Sequence, residues 1–189
     1  MTIANLITLL RIVLVPVIIW ALLSDEKILA FVVFLLAGLS DAVDGAVARM
    51  MDQQTEFGTA LDPVADKLML VSVFILLAWL GEIPLWLAIL VLSRDVLIVV
   101  GFLLAFILSK AVAIRPLFVS KANTFAQIVL AALVMGFLAF DVQMPLIKSG
   151  MVYATAALTT ASAIAYTVQG MRYLAGADGS SGAAGDGNV

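Results

Sequence analysis

Four aspartates are the residues of this chain whose type and spacing could perform chemistry. Asp41 and Asp44 lie three residues apart, and Asp62 and Asp66 lie four apart, so each pair shares one face of a helix. Carboxylate ligands without His or Cys suit Mg²⁺, Mn²⁺ or Ca²⁺. Four of them are enough to bridge two such ions, and two-metal sites clamp the attacking and leaving oxygens of a phosphoryl displacement. The pattern therefore predicts a two-metal site for phosphoryl-type transfer.

The rest of the composition limits the alternatives to this site. The chain contains no His and no Cys, which excludes disulfides, thiol nucleophiles, His bases and Cys/His zinc sites. The aspartates could instead cap helices or pair with Arg49 and Lys67, but two bases cannot balance four acids. Acidic clusters in membrane helices also mark ion paths, so a divalent-cation transporter is an alternative. Against it, no second acidic layer lies across the predicted bilayer.

The elements that must position the aspartates are predicted to be membrane helices. Hydrophobic residues make up 64% of the 189 residues and charged residues 12%, far from the half and quarter that are usual for soluble domains. Each apolar stretch is long enough to cross a bilayer, which takes about 20 residues. The stretches cover roughly 5–23, 28–50, 58–80, 84–108, 118–140 and 145–173. This predicts an all-α integral membrane protein with six transmembrane helices.

The ends and the orientation of the bundle follow from composition and charge. Residues 1–174 are predicted to form one six-helix domain, and the Gly-, Ala- and Ser-rich residues 175–189 a disordered tail. With both termini in the cytoplasm, only Lys27 and Lys148 face outward, and most of the other bases lie at the cytoplasmic side. The aspartates then face the cytoplasm. The Lys and Arg bias and the absence of an Arg/Ser-rich transit segment favour a bacterial inner membrane.

The aspartates also belong to a longer motif. The stretch from Asp41 reads DxxDGxxAR, and GxxxDxxxD follows after eight residues. This resembles the signature of the CDP-alcohol phosphotransferase family. The eight positions are Asp41, Asp44, Gly45, Ala48, Arg49, Gly58, Asp62 and Asp66.

The resemblance implies a function for each position of the motif. Members of the family transfer a phosphoalcohol unit from a CDP-alcohol to an acceptor hydroxyl and release CMP. The four aspartates would bind two ions, Mg²⁺ or Mn²⁺, and Asp66 would also be the catalytic base. The CDP moiety would contact Gly45, Ala48, Arg49 and Gly58.

Stretches outside the motif resemble one branch of the family. These are Leu92–Val96, Ile114–Pro116 and Ser120–Thr124, and they resemble the eukaryotic-type, CDP-diacylglycerol-dependent cardiolipin synthases. This implies phosphatidyl transfer to phosphatidylglycerol. The alternative is a phosphatidylglycerophosphate synthase, whose acceptor is glycerol 3-phosphate, but that branch usually has a Lys where this chain has Asn123. A phosphomonoester carries nearly two charges and rewards an extra cation, whereas a phosphodiester carries one.

Five residues are predicted contacts of the acceptor or of a lipid phosphate: Arg11, Arg94, Arg115, Lys121 and Asn123. For Arg94 the equal alternative is an intramembrane pair with Asp95 that ties helices together. Arg11 could be an interfacial anchor, and Arg115 and Lys121 could be topology markers. Small residues in the last span, namely Ala154, Ala157, Ala161 and Ala165, predict close helix packing within or between subunits. The resemblance to the family implies a homodimer that acts on lipid substrates, and we expect no nucleic-acid partner.

Overall fold

The computed structural model describes the backbone of residues 3–51, 56–107 and 118–181, and the side chains of residues 10–40, 67–101 and 118–171. All regular structure within these ranges is helical, which confirms the predicted all-α class and the six helices. The helices are α1 (Ile3–Leu23), α2 (Lys27–Met51), α3 (Glu56–Trp79), α4 (Leu85–Ile107), α5 (Phe118–Ala139) and α6 (Pro145–Ser181). The predicted apolar stretches match these boundaries to within a few residues, except at the end of α6.

The end of α6 differs from the sequence-based expectation. The helix continues to Ser181, so residues 175–181 are helical, although a disordered tail was expected from residue 175. Once a helix is nucleated, each further residue adds one backbone hydrogen bond, so a Gly- and Ser-rich segment can prolong it. Residues 182–189 of that predicted tail lie outside the described residues, and the domain boundary at residue 174 stays a prediction.

The helix lengths and exposed surfaces suit a bilayer. The shortest helix has 21 residues, or about 31 Å at a rise of about 1.5 Å per residue. Within the described side chains, Phe118–Ala139 and Pro145–Met171 are long and apolar enough to span a membrane by themselves. The described part of α4 also exposes more than half of Ile89, Val96 and Val99, the kind of apolar surface that soluble monomers rarely present. Six spans and cytoplasmic termini stay predictions.

Three turns at one end of the bundle share one geometry. Asp25, Gly81 and Asp141 have φ values of 63°, 78° and 52°, each just after a helix. The next residue then donates its N–H to the carbonyl five positions back, as from Glu82 to Leu77 at 2.9 Å. This is the Schellman cap, which satisfies carbonyls that the helix end would otherwise leave unpaired. The three caps close the hairpins α1–α2, α3–α4 and α5–α6, and we call this end the turn end.

The helices pack as two four-membered rings that share α3 and α5. The first ring runs α1–α2–α5–α3, and the second runs α3–α4–α6–α5. Only a short connection joins α2 to α3, which by itself predicts that the two helices are packed neighbours. Within the described residues they are instead diagonal in the first ring, with α1 and α5 between them. A short connection in sequence limits the distance between two helices but does not decide which helix lies beside which.

Among the side chains that the structure describes, the buried core lies towards the turn end. Its largest fully buried side chains include Ile18 on α1, Phe34 on α2, Leu77 on α3 and Leu130 on α5. Around it, Trp20, Trp79 and Trp86 are all substantially exposed near the turns. Exposed indole rings at one level are typical of a membrane–water interface.

We predict that Gly81→Ala destabilises the protein by about 1 kcal/mol, because a β-carbon is disfavoured in the left-handed region. Thermal unfolding in detergent measures the change. Gly150→Ala is the matched control, because Gly150 is helical and a β-carbon there meets no atom within 4 Å. Equal midpoints for the two variants would contradict the assigned turn geometry.

Candidate functional site

An apolar groove of about 400 Å³ lies between α2, α3 and α5. Its floor is formed by buried Phe34, Met69 and Leu70, and its rim by the more exposed Leu39 and Phe125. The remaining lining residues are Leu35, Gly38, Thr124, Ile128 and Ala132. The walls offer a hydrocarbon surface to a ligand and almost no polar groups.

The groove points towards the aspartate motif along three helices. Gly38 lies three residues before Asp41 on α2, and Met69 lies three residues after Asp66 on α3. Thr124 likewise follows Lys121 by three residues on α5. Because three residues are nearly one helical turn, all three helices reach a predicted site residue about one turn beyond the groove. We call this end of the bundle the site end; it lies opposite the turns.

The motif positions themselves are placed only at the level of the backbone. The first part of the motif lies on the last turns of α2 and the second part on the first turns of α3. Eight predicted residues have side chains outside the described set: Asp41, Asp44, Gly45, Ala48, Arg49, Gly58, Asp62 and Asp66. Arg115 lies outside the described residues altogether. Their roles as metal ligands, CDP contacts, base and acceptor contact stay predictions.

Arg94 lies in α4 with only 3% of its surface exposed, and its guanidinium has protein partners on every nitrogen. Nη1 donates to Asp95 Oδ1 at 2.7 Å. Nε and Nη2 donate to Ser162 Oγ on α6 at 3.2 and 2.8 Å, and Nη2 also donates to Ser120 Oγ on α5. The guanidinium carbon lies 5.7 Å from the centre of the Tyr166 ring, a cation–π distance.

These contacts decide between the two interpretations of Arg94. A guanidinium that is enclosed by α5 and α6 ties helices together. This agrees with the interpretation of Arg94 as one half of an intramembrane pair with Asp95. The prediction that Arg94 contacts an acceptor phosphate is not supported, because an anion would have to displace Asp95 or the two serines. The cost of an unpaired charge in an apolar environment explains why Arg94 draws its partners from three helices.

Asp95 connects Arg94 and its partners to α3. Its Oδ1 accepts a hydrogen bond from Lys67 Nζ at 2.5 Å in addition to the one from Arg94. The Asp95 side chain is 11% exposed and that of Lys67 39%. Lys67 directly follows Asp66 in the sequence, so this ion pair fixes the helix that carries half of the motif to α4. We call Lys67, Arg94 and Asp95 the charge cluster.

Asn123 is also buried, in a polar seam between α5 and α6. Its Oδ1 accepts a hydrogen bond from Thr159 at 2.8 Å, and its own exposure is 0%. Its Nδ2, both polar atoms of Gln127 and the Thr155 hydroxyl have no hydrogen-bond partner within the described part of the chain. The predicted acceptor contact is therefore corrected, because Asn123 faces α6 and not a ligand-accessible surface.

The two remaining predicted contacts differ in exposure. Arg11 on α1 is 2% exposed, which does not fit an anchor at the membrane surface. Lys121, in the first turn of α5, is exposed and makes no ion pair with any residue that the structure describes. Lys121 is thus accessible from outside the protein, and its contact with an anionic headgroup stays a prediction.

Several contacts of this region were not predicted from the sequence. The Lys67–Asp95 contact and the roles of Ser120, Ser162 and Tyr166 around Arg94 were not anticipated. One signal was present: Thr155, Thr159 and Ser162 recur at helical spacing in an apolar span. A polar stripe in such a helix indicates a buried face that can satisfy a charge on a neighbour.

We predict that Asn123→Lys lowers stability by about 3 kcal/mol or more, because it places an unpaired charge in the α5–α6 seam. The nearly isosteric Asn123→Leu should cost less, since it removes a polar group that is only half satisfied. Lys121→Asn on the exposed surface is the control. Unfolding midpoints in detergent measure all three. A stable Asn123→Lys variant with improved use of glycerol 3-phosphate would restore Asn123 to the acceptor site.

Comparisons with known proteins agree with the motif. Residues 1–168 match the profile of the CDP-alcohol phosphatidyltransferases. A probable phosphatidylglycerophosphate synthase from Mycobacterium tuberculosis is 33% identical over 181 residues, covering 92% of this chain and 83% of that protein. Cardiolipin synthase (CMP-forming) from Rattus norvegicus is also 33% identical over 181 residues, covering 87% and 60%. The Streptomyces coelicolor cardiolipin synthase (CMP-forming) is 36% identical over 111 residues, covering 54% and 52%. The chain therefore belongs to the CDP-alcohol phosphatidyltransferase family and is a membrane-associated phosphatidyltransferase of phospholipid biosynthesis.

Proposed function

We propose that this enzyme is a cardiolipin synthase, which transfers the phosphatidyl group of CDP-diacylglycerol to phosphatidylglycerol and releases CMP. The number of accessible cations at the site end supports this choice of acceptor. Lys67 and Arg94 already share Asp95 as their counter-ion. Among the described side chains, Lys121 is the cation that stays accessible there. Within that described part of the site end, one accessible Lys suits the one charge of a phosphodiester better than the nearly two charges of a phosphomonoester.

In the proposed reaction, a glycerol hydroxyl of phosphatidylglycerol attacks the phosphorus atom that bears the diacylglycerol. The new P–O bond forms as the bond to the bridging diphosphate oxygen breaks, and that oxygen leaves with CMP. Asp66 takes the proton of the attacking hydroxyl. A carboxylate is a weak base at neutral pH, so the site must also hold the hydroxyl in line with the leaving group.

The donor set of the motif suits divalent metals, which the family generally uses. Its four carboxylates are hard oxygen ligands on two helices that reach the same end of the bundle. Among the described residues, no other group of three or more acidic side chains could hold an ion. Asp41, Asp44, Asp62 and Asp66 would hold two Mg²⁺ or Mn²⁺ ions. Bound there, the ions would neutralise the diphosphate and stabilise the leaving group.

The apolar groove supplies a place for an acyl chain. It lies about one helical turn from the motif on both α2 and α3, and exposed Leu39 and Phe125 open it to surrounding lipid. A lipid whose phosphate lies at the aspartates could therefore extend a chain along Phe34, Met69 and Leu70. The donor lipid, CDP-diacylglycerol, needs such access from the bilayer.

Charge and exposure also support the proposed topology and assembly. Among the described side chains, the turn end carries two bases, Lys27 and Lys148, whereas the site end carries four, Arg11, Lys67, Arg94 and Lys121. This is the bias expected of a cytoplasmic site end in a bacterial inner membrane, with six spans and both termini inside. On α6, Ala154, Ala157 and Ala161 are exposed, while Ala165 is partly buried. A face of small residues that the chain itself leaves uncovered supports helix packing between the two subunits of a homodimer.

The second candidate is a phosphatidylglycerophosphate synthase. It is favoured by the relative from Mycobacterium tuberculosis, whose match covers more of both chains than the match to the rat cardiolipin synthase. The two functions share the donor lipid, the motif and CMP release, and differ only in the acceptor.

An acceptor assay separates the two. Purified protein receives CDP-diacylglycerol labelled in its glycerol backbone, together with phosphatidylglycerol or glycerol 3-phosphate. We predict that the products are cardiolipin and CMP. The rate with phosphatidylglycerol should exceed the rate with glycerol 3-phosphate by roughly tenfold or more, which is the ratio expected from one charge-assisted hydrogen bond. Chelation should abolish turnover and Mg²⁺ or Mn²⁺ restore it, and Asp66→Asn provides the background rate. Phosphatidylglycerophosphate as the sole product would establish the second candidate, and full activity without metal would remove the two-metal site.

A second variant tests the groove. Gly38→Phe places a ring inside it, and a β-carbon at Gly38 meets no atom within 4 Å, so the backbone need not shift. We predict that the CDP-diacylglycerol concentration for half-maximal rate rises by roughly tenfold, as expected when a few methylene groups lose their burial. Gly101→Phe is the matched control, on an exposed position of α4 with the same free space. An unchanged concentration for Gly38→Phe would show that the acyl chain lies elsewhere.

A further inference from the structure

Asp95 has no assigned role in the reaction, yet it is the acid on which two buried or half-buried cations converge. Lys67 and Arg94 both donate to the same oxygen, Oδ1, at 2.5 and 2.7 Å. Arg94 is held independently by Ser120, Ser162 and Tyr166. The position of Asp95 is therefore fixed from α5 and α6, and Asp95 captures Lys67, whose side chain is 39% exposed.

The position of Lys67 makes this capture significant. It directly follows Asp66, and its four-carbon stem can turn an ammonium towards several directions around α3. An ammonium close to a cluster of carboxylates pairs with them, and it then occupies the oxygens that a divalent cation needs. Asp95 offers Lys67 another anionic partner, on the neighbouring helix.

We infer that Asp95 is a positioning residue that holds Lys67 away from the aspartate motif and so keeps the motif carboxylates available for divalent cations. This rests on the metal site of the proposed function. Asp95 acts through Lys67 and touches neither substrate nor metal. Without the carboxylate charge of Asp95, Lys67 competes with the metal.

A double-mutant cycle tests the inference through metal binding itself. Free Mn²⁺ is measured by electron paramagnetic resonance in titrations of metal-depleted, full-length protein, without substrate. We expect Asp95→Asn to weaken Mn²⁺ binding by roughly tenfold, the effect of one charge-assisted contact. Lys67→Gln should bind Mn²⁺ as well as the wild type or better. The double variant should match Lys67→Gln, because the competing ammonium is gone.

A second ion pair provides the control. Lys148 Nζ lies 2.6 Å from Glu82 Oε2 at the turn end, with similar partial exposure of the two side chains. Glu82→Gln removes a comparable pair far from the motif and should leave Mn²⁺ binding unchanged. The Mg²⁺ concentration for half-maximal turnover should follow the Mn²⁺ affinities across the set.

The outcomes separate the possibilities. Unchanged Mn²⁺ binding in Asp95→Asn overturns the inference and leaves the metal site intact. A double variant as weak as Asp95→Asn also overturns it, because Asp95 then acts through Arg94 and helix packing. Should Asp95→Asn not fold, Lys67→Gln still decides, since weaker Mn²⁺ binding in that variant contradicts competition by Lys67. A wild-type protein that binds no Mn²⁺ removes the proposed metal site and this inference together.

Discussion

A guanidinium buried among apolar helices is the constraint around which the second ring of this bundle is arranged. Arg94 cannot reach bulk water and must therefore find its partners within the protein. Ser120 and Ser162 come from two other helices, and Tyr166 adds its ring. These contacts set how close α5 and α6 approach α4. Apolar packing alone would leave the rotation of each helix much less defined, because one hydrocarbon face resembles another.

The two ends of the bundle are stabilised by different means. At the turn end, Schellman caps close the hairpins and a core of large apolar side chains fills the space between them. At the site end, polar contacts join residues that lie far apart in the sequence. An enzyme that acts on charged headgroups needs such polar groups where the substrate binds, and an apolar scaffold on the other side keeps them in register. The groove between α2, α3 and α5 connects the two environments.

The sequence predicted the elements well and their lateral contacts poorly. The boundaries of α5 followed from an apolar run between Pro116 and Asp141, because proline and aspartate are both disfavoured in the interior of a helix. Which face of α5 meets α6 depends on the packing of the whole bundle and not on the local sequence. Asn123 was therefore predicted to contact a ligand, although it lies in the interface between these two helices. The partners of Arg94 were equally hidden, because Ser162 is 68 residues away. The motif could be identified from spacing alone, since its positions lie within one short segment.

The long separation between Arg94 and its partners has a consequence for biosynthesis. The chain emerges from its N-terminus, so α4 exists before α5 and well before α6. A nascent chain that ends after α4 already contains the complete eight-residue motif, but its arginine lacks both serines. That guanidinium must remain near the membrane surface or be covered by other proteins until α6 arrives. The last helix is therefore the step that allows the charge to be buried, and truncation within α6 should leave a chain recognisable to membrane quality control.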